Sequence, residues 1–252
     1  MKKSFAASLF LIAVSTSSSV SADTFLGGYV GAQVWDLGVE GGFSESQDIV
    51  TFGFEDETNY SFYAALEHPI PLVPNIKLSR TTLDTQGATS LSSSFSFGGE
   101  VFAVDTILDT TNEITTMDYI LYYEILDNDL VSFDVGVNVK ELDGDFVVTD
   151  ASSTRTASDT FTGYVPMGYG RAAFGIPGTG LGAYVEGSFL SIDDNSIVDY
   201  QVALTYSFIE SLALDLTLQA GYRSLELDIE DIDDVYADLQ FDGAFVGLEF
   251  DF

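Results

Sequence analysis

His68 is the one imidazole in the sequence, and it stands between Glu67 and Pro69 with no serine partner beside it. Histidine is the usual general base near neutral pH, but it needs an oriented carboxylate or nucleophile within reach. With Pro69, Pro71 and Pro74 following, His68 reads as a turn residue capping a proline-rich connection. There is no cysteine to act as nucleophile or soft ligand, and one histidine cannot make a zinc site. The acidic run from Glu226 to Asp234, ELDIEDIDD, does hold oxygen ligands of the kind calcium prefers. Within it Glu230, Asp231, Asp233 and Asp234 are weak metal candidates, because the run lacks the glycine and the spacing of a recognised calcium loop. A solvated acidic loop is the plainer reading, there and at Asp143, Asp145 and Asp150. We expect no enzyme and no cofactor.

Forty acids against eight Lys and Arg, a formal net charge of -32, exclude a nucleic-acid partner, since phosphate contacts need bases. The residues that remain interesting lie at alternate positions inside apolar segments: Glu67, Lys77, Glu124, Asp134, Lys140, Arg171, Glu186, Asp215 and Gln219. Each shares the parity of its polar neighbours and opposes an apolar face. Side chains of a strand alternate between faces, so these nine point the same way, toward the inside of a closed sheet. Such a network either fills a narrow lumen with paired charge or lines a cation-preferring path, because its acids outnumber its bases.

The elements that would position them are segments of about ten residues with period-two patterning. Ten are legible: 24–35, 59–67, 75–83, 116–126, 131–140, 163–175, 181–190, 198–208, 212–222 and 237–252. The sixth is the least regular, since Pro166 and several glycines interrupt it. Between them the gaps run long and short in turn. The short ones are 68–74, 127–129, 177–180 and 209–211; the long ones are 36–58, 84–115, 141–162, 191–197 and 223–236. No segment after the first 22 residues approaches the length of a membrane helix. Short turns at one end, long loops at the other and an even strand count predict an all-β fold, an up-and-down antiparallel transmembrane β-barrel of ten strands, with eight or twelve as alternatives. Hydrophobic residues, 46% of the chain, would face lipid. Arg80 breaks the rule by sharing parity with Ile76 and Leu78.

Residues 1–22 read as a cleaved signal peptide, with Lys2 and Lys3, an apolar core from Phe5 to Val14, and Val20-Ser21-Ala22 before the cut. The mature barrel domain is then 23–252, exported, without a lipoprotein cysteine and without disulfides.

The closing stretch, ADLQFDGAFVGLEFDF, places Gly247, Leu248, Phe250 and Phe252 in a pattern that resembles the C-terminal strand of bacterial outer-membrane barrels. That resemblance implies recognition by the barrel-assembly machinery. Together with GGYVGAQVWD, LEHPIPLVPNIKL and YYEILDNDLVSFDVG, it makes the chain similar to a family of small bacterial outer-membrane β-barrel proteins of unassigned function. The family implies fold and outer-membrane location, with both termini periplasmic, and supplies no substrate. On this basis we expect a monomer in contact with outer-membrane lipid and lipopolysaccharide. Its role would be structural or that of a narrow, weakly cation-preferring pore. The alternative is a surface binder whose acidic outside loops engage divalent cations, lipopolysaccharide or a partner.

Overall fold

The computed structural model describes residues 26–128, 130–192, 195–209, 214–232 and 235–252. The predicted leader, 1–22, lies outside them. In chain order the strands are β1 (Gly27–Ser44), β2 (Val50–Thr51), β3 (Gly53–Phe54), β4 (Glu57–Glu67), β5 (Asn75–Thr82), β6 (Thr85–Ser90), β7 (Phe95–Phe97), β8 (Glu100–Phe102), β9 (Ile107–Asp127), β10 (Val131–Asp150), β11 (Thr156–Ile176), β12 (Leu181–Ile192), β13 (Asn195–Ile209), β14 (Asp215–Ile232) and β15 (Val235–Asp251). Ten of them, β1, β4, β5 and β9 to β15, close an antiparallel up-and-down barrel. The seam is β1 on β15, in register from Tyr29↔Asp251 to Ser44↔Tyr236, so no long edge is left to template another chain. Gly28 and Phe252 exchange both backbone hydrogen bonds at its end, at 3.0 and 2.9 Å.

The barrel is taller than ten-residue segments predict. β9 and β11 each run 21 residues and β10 runs 20, so most of each long gap is strand. What ends at the expected boundaries is the parity of the apolar residues. On β1 the exposed Val30 and Val34 give way to the buried Trp35, Leu37 and Val39. On β10 the exposed Val135, Val137 and Val139 give way to the buried Leu142 and Val148. On β14 the outward Leu218 and Tyr222 give way to the inward Leu225 and Leu227. Outward positions change at the same level, to Asp36 and Glu40, to Asp143 and Asp145, and to Glu226 and Asp228. The strands themselves continue: β1 stays in register with β15 throughout. Toward the short turns, apolar groups face out and polar groups in. Toward the long loops the arrangement is that of a water-soluble sheet, acids out and a dry core within.

β11 is regular, contrary to the sequence expectation. Pro166 pairs with Val139 of β10, and the pairing of β11 with β12 begins only at Gly168, so its missing N–H falls where no ladder needs it. Arg80 is exposed on the outer surface of β5, just before the break at Leu83 and Asp84, where Asn59 exchanges side-chain hydrogen bonds with the Asp84 backbone. No bulge turns Arg80 inward.

The long-loop end is closed by the β7–β8 hairpin, whose strands pair only with each other. Phe95, Phe97 and Phe102 enter the core beside Phe43 and Phe52. The Phe43 ring stacks on Phe52 with centroids 4.9 Å apart and meets Phe97 at 5.3 Å. Polar ties hold the hairpin to the wall: Arg155 Nη1 donates to Val101 O at 2.8 Å, and Gly98 N to Glu45 Oε1 at 2.9 Å.

Candidate functional site

Below the apolar core, the inner face at the next positions toward the short turns is charged. Lys140 precedes Leu142 on β10, Arg223 precedes Leu225 on β14, and Asp199 follows Ile197 on β13. Lys140 Nζ is fully buried and lies 2.7 Å from Asp118 Oδ1 and 2.9 Å from Asp199 Oδ2. Arg223 donates to both oxygens of Asp199, at 3.0 and 2.7 Å, and from Nη1 to Thr81 at 3.1 Å. This fork-on-fork geometry is the strongest form of the pair. The Arg223 guanidinium also lies 5.1 Å from the Trp35 ring, at the boundary between the two fillings.

One layer further, Lys77 Nζ meets Glu186 Oε1 at 2.5 Å, and Tyr169 and Gln201 donate to the same carboxylate. Lys77 lies 4.7 Å from the centre of the Tyr63 ring. Arg171 reaches Asp134 at 3.6 Å and Glu186 at 4.0 Å. Gln219 joins Gln33, Tyr63 and Tyr184 in a side-chain hydrogen-bonded group. Tyr63 fits because it covers Gly31, where a methyl would fall 2.2 Å from Tyr63 Cζ. Buried charges need such partners, since an unpaired one costs several kcal/mol (about 3–5).

Of the nine inward residues expected, Lys77, Asp134, Lys140, Arg171, Glu186 and Gln219 converge in this network. Glu67 sits at the short-turn rim and accepts from Tyr122 at 2.7 Å. Glu124 is exposed at that rim, paired with the inward Asp134 just before the bulge at Ile125, and Asp215 is half-buried at the mouth. Reasoning from sequence left Asp118 and Asp199 out of the network and put Arg223 in a loop. Their alternation with Ile120, Val198 and Tyr222 carried the signal. The tyrosines Tyr29, Tyr63, Tyr122, Tyr169 and Tyr184 were not named in the expected network, although Tyr29 and Tyr63 share the parity of Gln33 and Glu67 on the inner face. Other tyrosines, including Tyr119, Tyr200 and Tyr206, are exposed on the outer face. Glu141 accepts from Tyr119 and Tyr164 there, each at 2.9 Å, and Asp242 from Tyr222.

Space within the network amounts to a cavity of about 40 Å³ lined by Lys77, Asp118, Glu186, Asp199 and Arg223; with Lys140, Arg171 and Asp134 added, the network holds four bases and four acids. That volume holds on the order of one to three waters. His68 lies in the 68–74 turn, where Nδ1 accepts from Ile70 N at 3.2 Å and Nε2 faces Pro74 O at 3.2 Å. It therefore donates from Nε2 and closes the turn. Glu230 is exposed; Asp233, Asp234 and the side chain of Asp231 lie outside the described residues. Among the described residues no cluster could hold a metal ion. On β15, Leu248, Phe250 and Phe252 are exposed outward and Gly247 is buried against Gln33.

No family model and no curated protein matches the chain. Among solved structures it is similar to the transport unit of the autotransporter AIDA-I from Escherichia coli, at 7% identity over 96% of this chain and 93% of that one, with a TM-score of 0.41. It is also similar to a Pseudomonas aeruginosa FadL homologue, at 9% identity over 90% of each chain with a TM-score of 0.35. A third is the Pseudomonas putida toluene transporter TodX, at 7% identity over 89% of each chain with a TM-score of 0.30. The barrel assignment for this chain rests on its own closed strand pairing.

Proposed function

We propose that this chain is an integral protein of a bacterial outer membrane, exported by residues 1–22, whose short-turn half lies in the bilayer and whose long-loop half projects into the water outside. The observation that carries this is the inversion of both faces at one level. Hydrocarbon demands an apolar exterior and a sheet with every backbone group paired, and water demands the opposite exterior. A barrel wholly in either solvent has no reason to change. In this reading the turns at 68–74, 128–130 and 177–180 are periplasmic, along with both termini, and the C-terminal strand engages the assembly machinery. A water-soluble paramagnetic agent tests it in bilayer nanodiscs. The Val135, Val137 and Val139 amides should be shielded and the Asp143 and Asp145 amides should not; uniform broadening along β10 would sink the reading.

The same barrel conducts little or nothing at rest. The aromatic hairpin and aliphatic core fill one half, and paired charges close the middle of the barrel, leaving a cavity of about 40 Å³ among them. In planar bilayers we expect no steady ion current, in place of a cation-preferring pore. A stable cation-selective conductance would restore the pore.

A second reading is favoured by the outward acids just above the apolar belt, Asp36, Glu40, Asp143 and Asp238. They would meet the phosphates of lipopolysaccharide through shared divalent cations, as screening counter-ions in place of a coordinated site. Chelation should then loosen bound lipopolysaccharide without changing the fold.

A further inference from the structure

The short-turn mouth is lopsided. On one side of it the inner wall carries Tyr29, Tyr63, Tyr122 and Glu67. On the other, the inward positions of β11 to β14 are small: Ala173, Gly182, Thr205, Ser207 and Thr217. The difference leaves an open vestibule of about 370 Å³, within the range that small-molecule pockets occupy.

Its floor and rim carry opposite charge. At the floor, Arg171 holds its carboxylates loosely, at 3.6 and 4.0 Å, where Arg223 grips Asp199 at 2.7 and 3.0 Å. Its side chain is 24% exposed, against 9% for Arg223, and stacks over the Tyr184 ring at 5.4 Å. The guanidinium keeps donors to offer. At the rim stands Glu249, with one oxygen taken by Tyr63 at 2.7 Å. Between them lie the hydroxyls of Thr205, Ser207 and Thr217, the last two hydrogen-bonded to each other at 2.8 Å.

We propose that this vestibule binds a small zwitterion of the amino-acid or dipeptide class, its carboxylate on Arg171 and its ammonium toward Glu249. A planar guanidinium receives a carboxylate through two parallel hydrogen bonds, which fixes that end. A plain anion would meet Glu249, and a plain cation would meet Arg171, so only a molecule bearing both charges satisfies both poles. The site opens to whichever solvent the short turns face, and binding does not depend on the membrane orientation proposed above.

The test is an amide-shift titration of the isotopically labelled protein in detergent micelles, with glycylglycine, acetate and ethylamine as probes at matched ionic strength. Glycylglycine should produce saturable shifts at Gly182, Thr205, Ser207 and Thr217, and each single-charge probe should bind at least tenfold more weakly. Arg171→Gln should weaken glycylglycine at least tenfold. Ala173→Leu, which fills the space and leaves every charge in place, should abolish the shifts, and it decides the matter should Arg171→Gln not fold. No saturable shift with glycylglycine, equal binding of acetate, or full binding by Ala173→Leu would overturn the proposal.

Discussion

The two halves of this lumen are filled by opposite chemistry. The long-loop half holds Leu37, Phe43, Leu142, Leu225 and Phe241 around an aromatic hairpin, with no ionisable group among them. The short-turn half is packed with Lys77, Lys140, Arg223, Asp118, Asp199 and Glu186. On the membrane placement proposed above, the difference follows the solvent outside each half. Where water surrounds the wall, the inside can be dry, and apolar burial stabilises it at about 25 cal/mol per Å². Where hydrocarbon surrounds the wall, an apolar inside would gain little over the outside, and paired charge gives the barrel its interior contacts.

This contrast predicts different responses to mutation. Lys140→Met should cost most, about 4 kcal/mol, because it strands Asp118 and part of Asp199 without their cation. Adding Asp118→Asn should recover a share of that loss, since the penalty lies in the unpaired charge. Urea unfolding of the lipid-reconstituted protein measures both, and a double variant no better than the single one would show that packing, not charge, holds the inner half. Phe241→Ala, at 1% exposure, should cost about 3 kcal/mol through lost burial and the cavity left behind. Its cost should be insensitive to salt, and no charge change nearby should rescue it.

The short-turn half was legible in the sequence because its strands keep a clean alternation, apolar outward and polar inward. Strand count, closure and most inward charges followed from that. The long-loop half was hidden by the same rule. In Val34-Trp35-Asp36-Leu37 the apolar positions pass from even to odd with no residue inserted, and a reader following one parity sees the strand stop. On the proposed placement, the slip marks a change of solvent on an unbroken strand. The hairpin at 95–102 was beyond reach for a different reason. Its phenylalanines have partners at Phe43 and Phe52, far along the chain, and nothing local ties them together.

Trp35 sits at the junction and sharpens the comparison further. Its ring belongs to the apolar cluster and lies under Arg223, while its Nε1 has no hydrogen-bond partner among the described residues. Trp35→Phe removes an unsatisfied buried donor, worth about 1–3 kcal/mol, and loses ring area and part of the cation–π contact in exchange. The terms oppose, so unfolding midpoints should place the net change within about 1 kcal/mol. A loss as large as that of Phe241→Ala would mean that the indole joins the two halves more tightly than either filling alone.

The smallest effect is expected at the rim of the dry half, where acid can act only through turns. Asp150 accepts from Ser152 N, Ser152 Oγ and Ser153 Oγ, each at 2.8 Å, and these donors hold its carboxyl below the usual carboxylate range. A carboxyl lowered on folding adds stability above its unfolded value of about 3.9, and that contribution is lost as pH falls through the folded value. The same turn sets the position of Arg155, which grips the hairpin at Val101. Carbon-detected titration should therefore give Asp150 a midpoint below about 3.9, and shifts at Val101 and Gly98 should follow it. Asp150→Asn should leave the Phe241 environment unchanged while removing that coupled step. A hairpin that ignores the protonation of Asp150 would show that its aromatic contacts alone keep it seated.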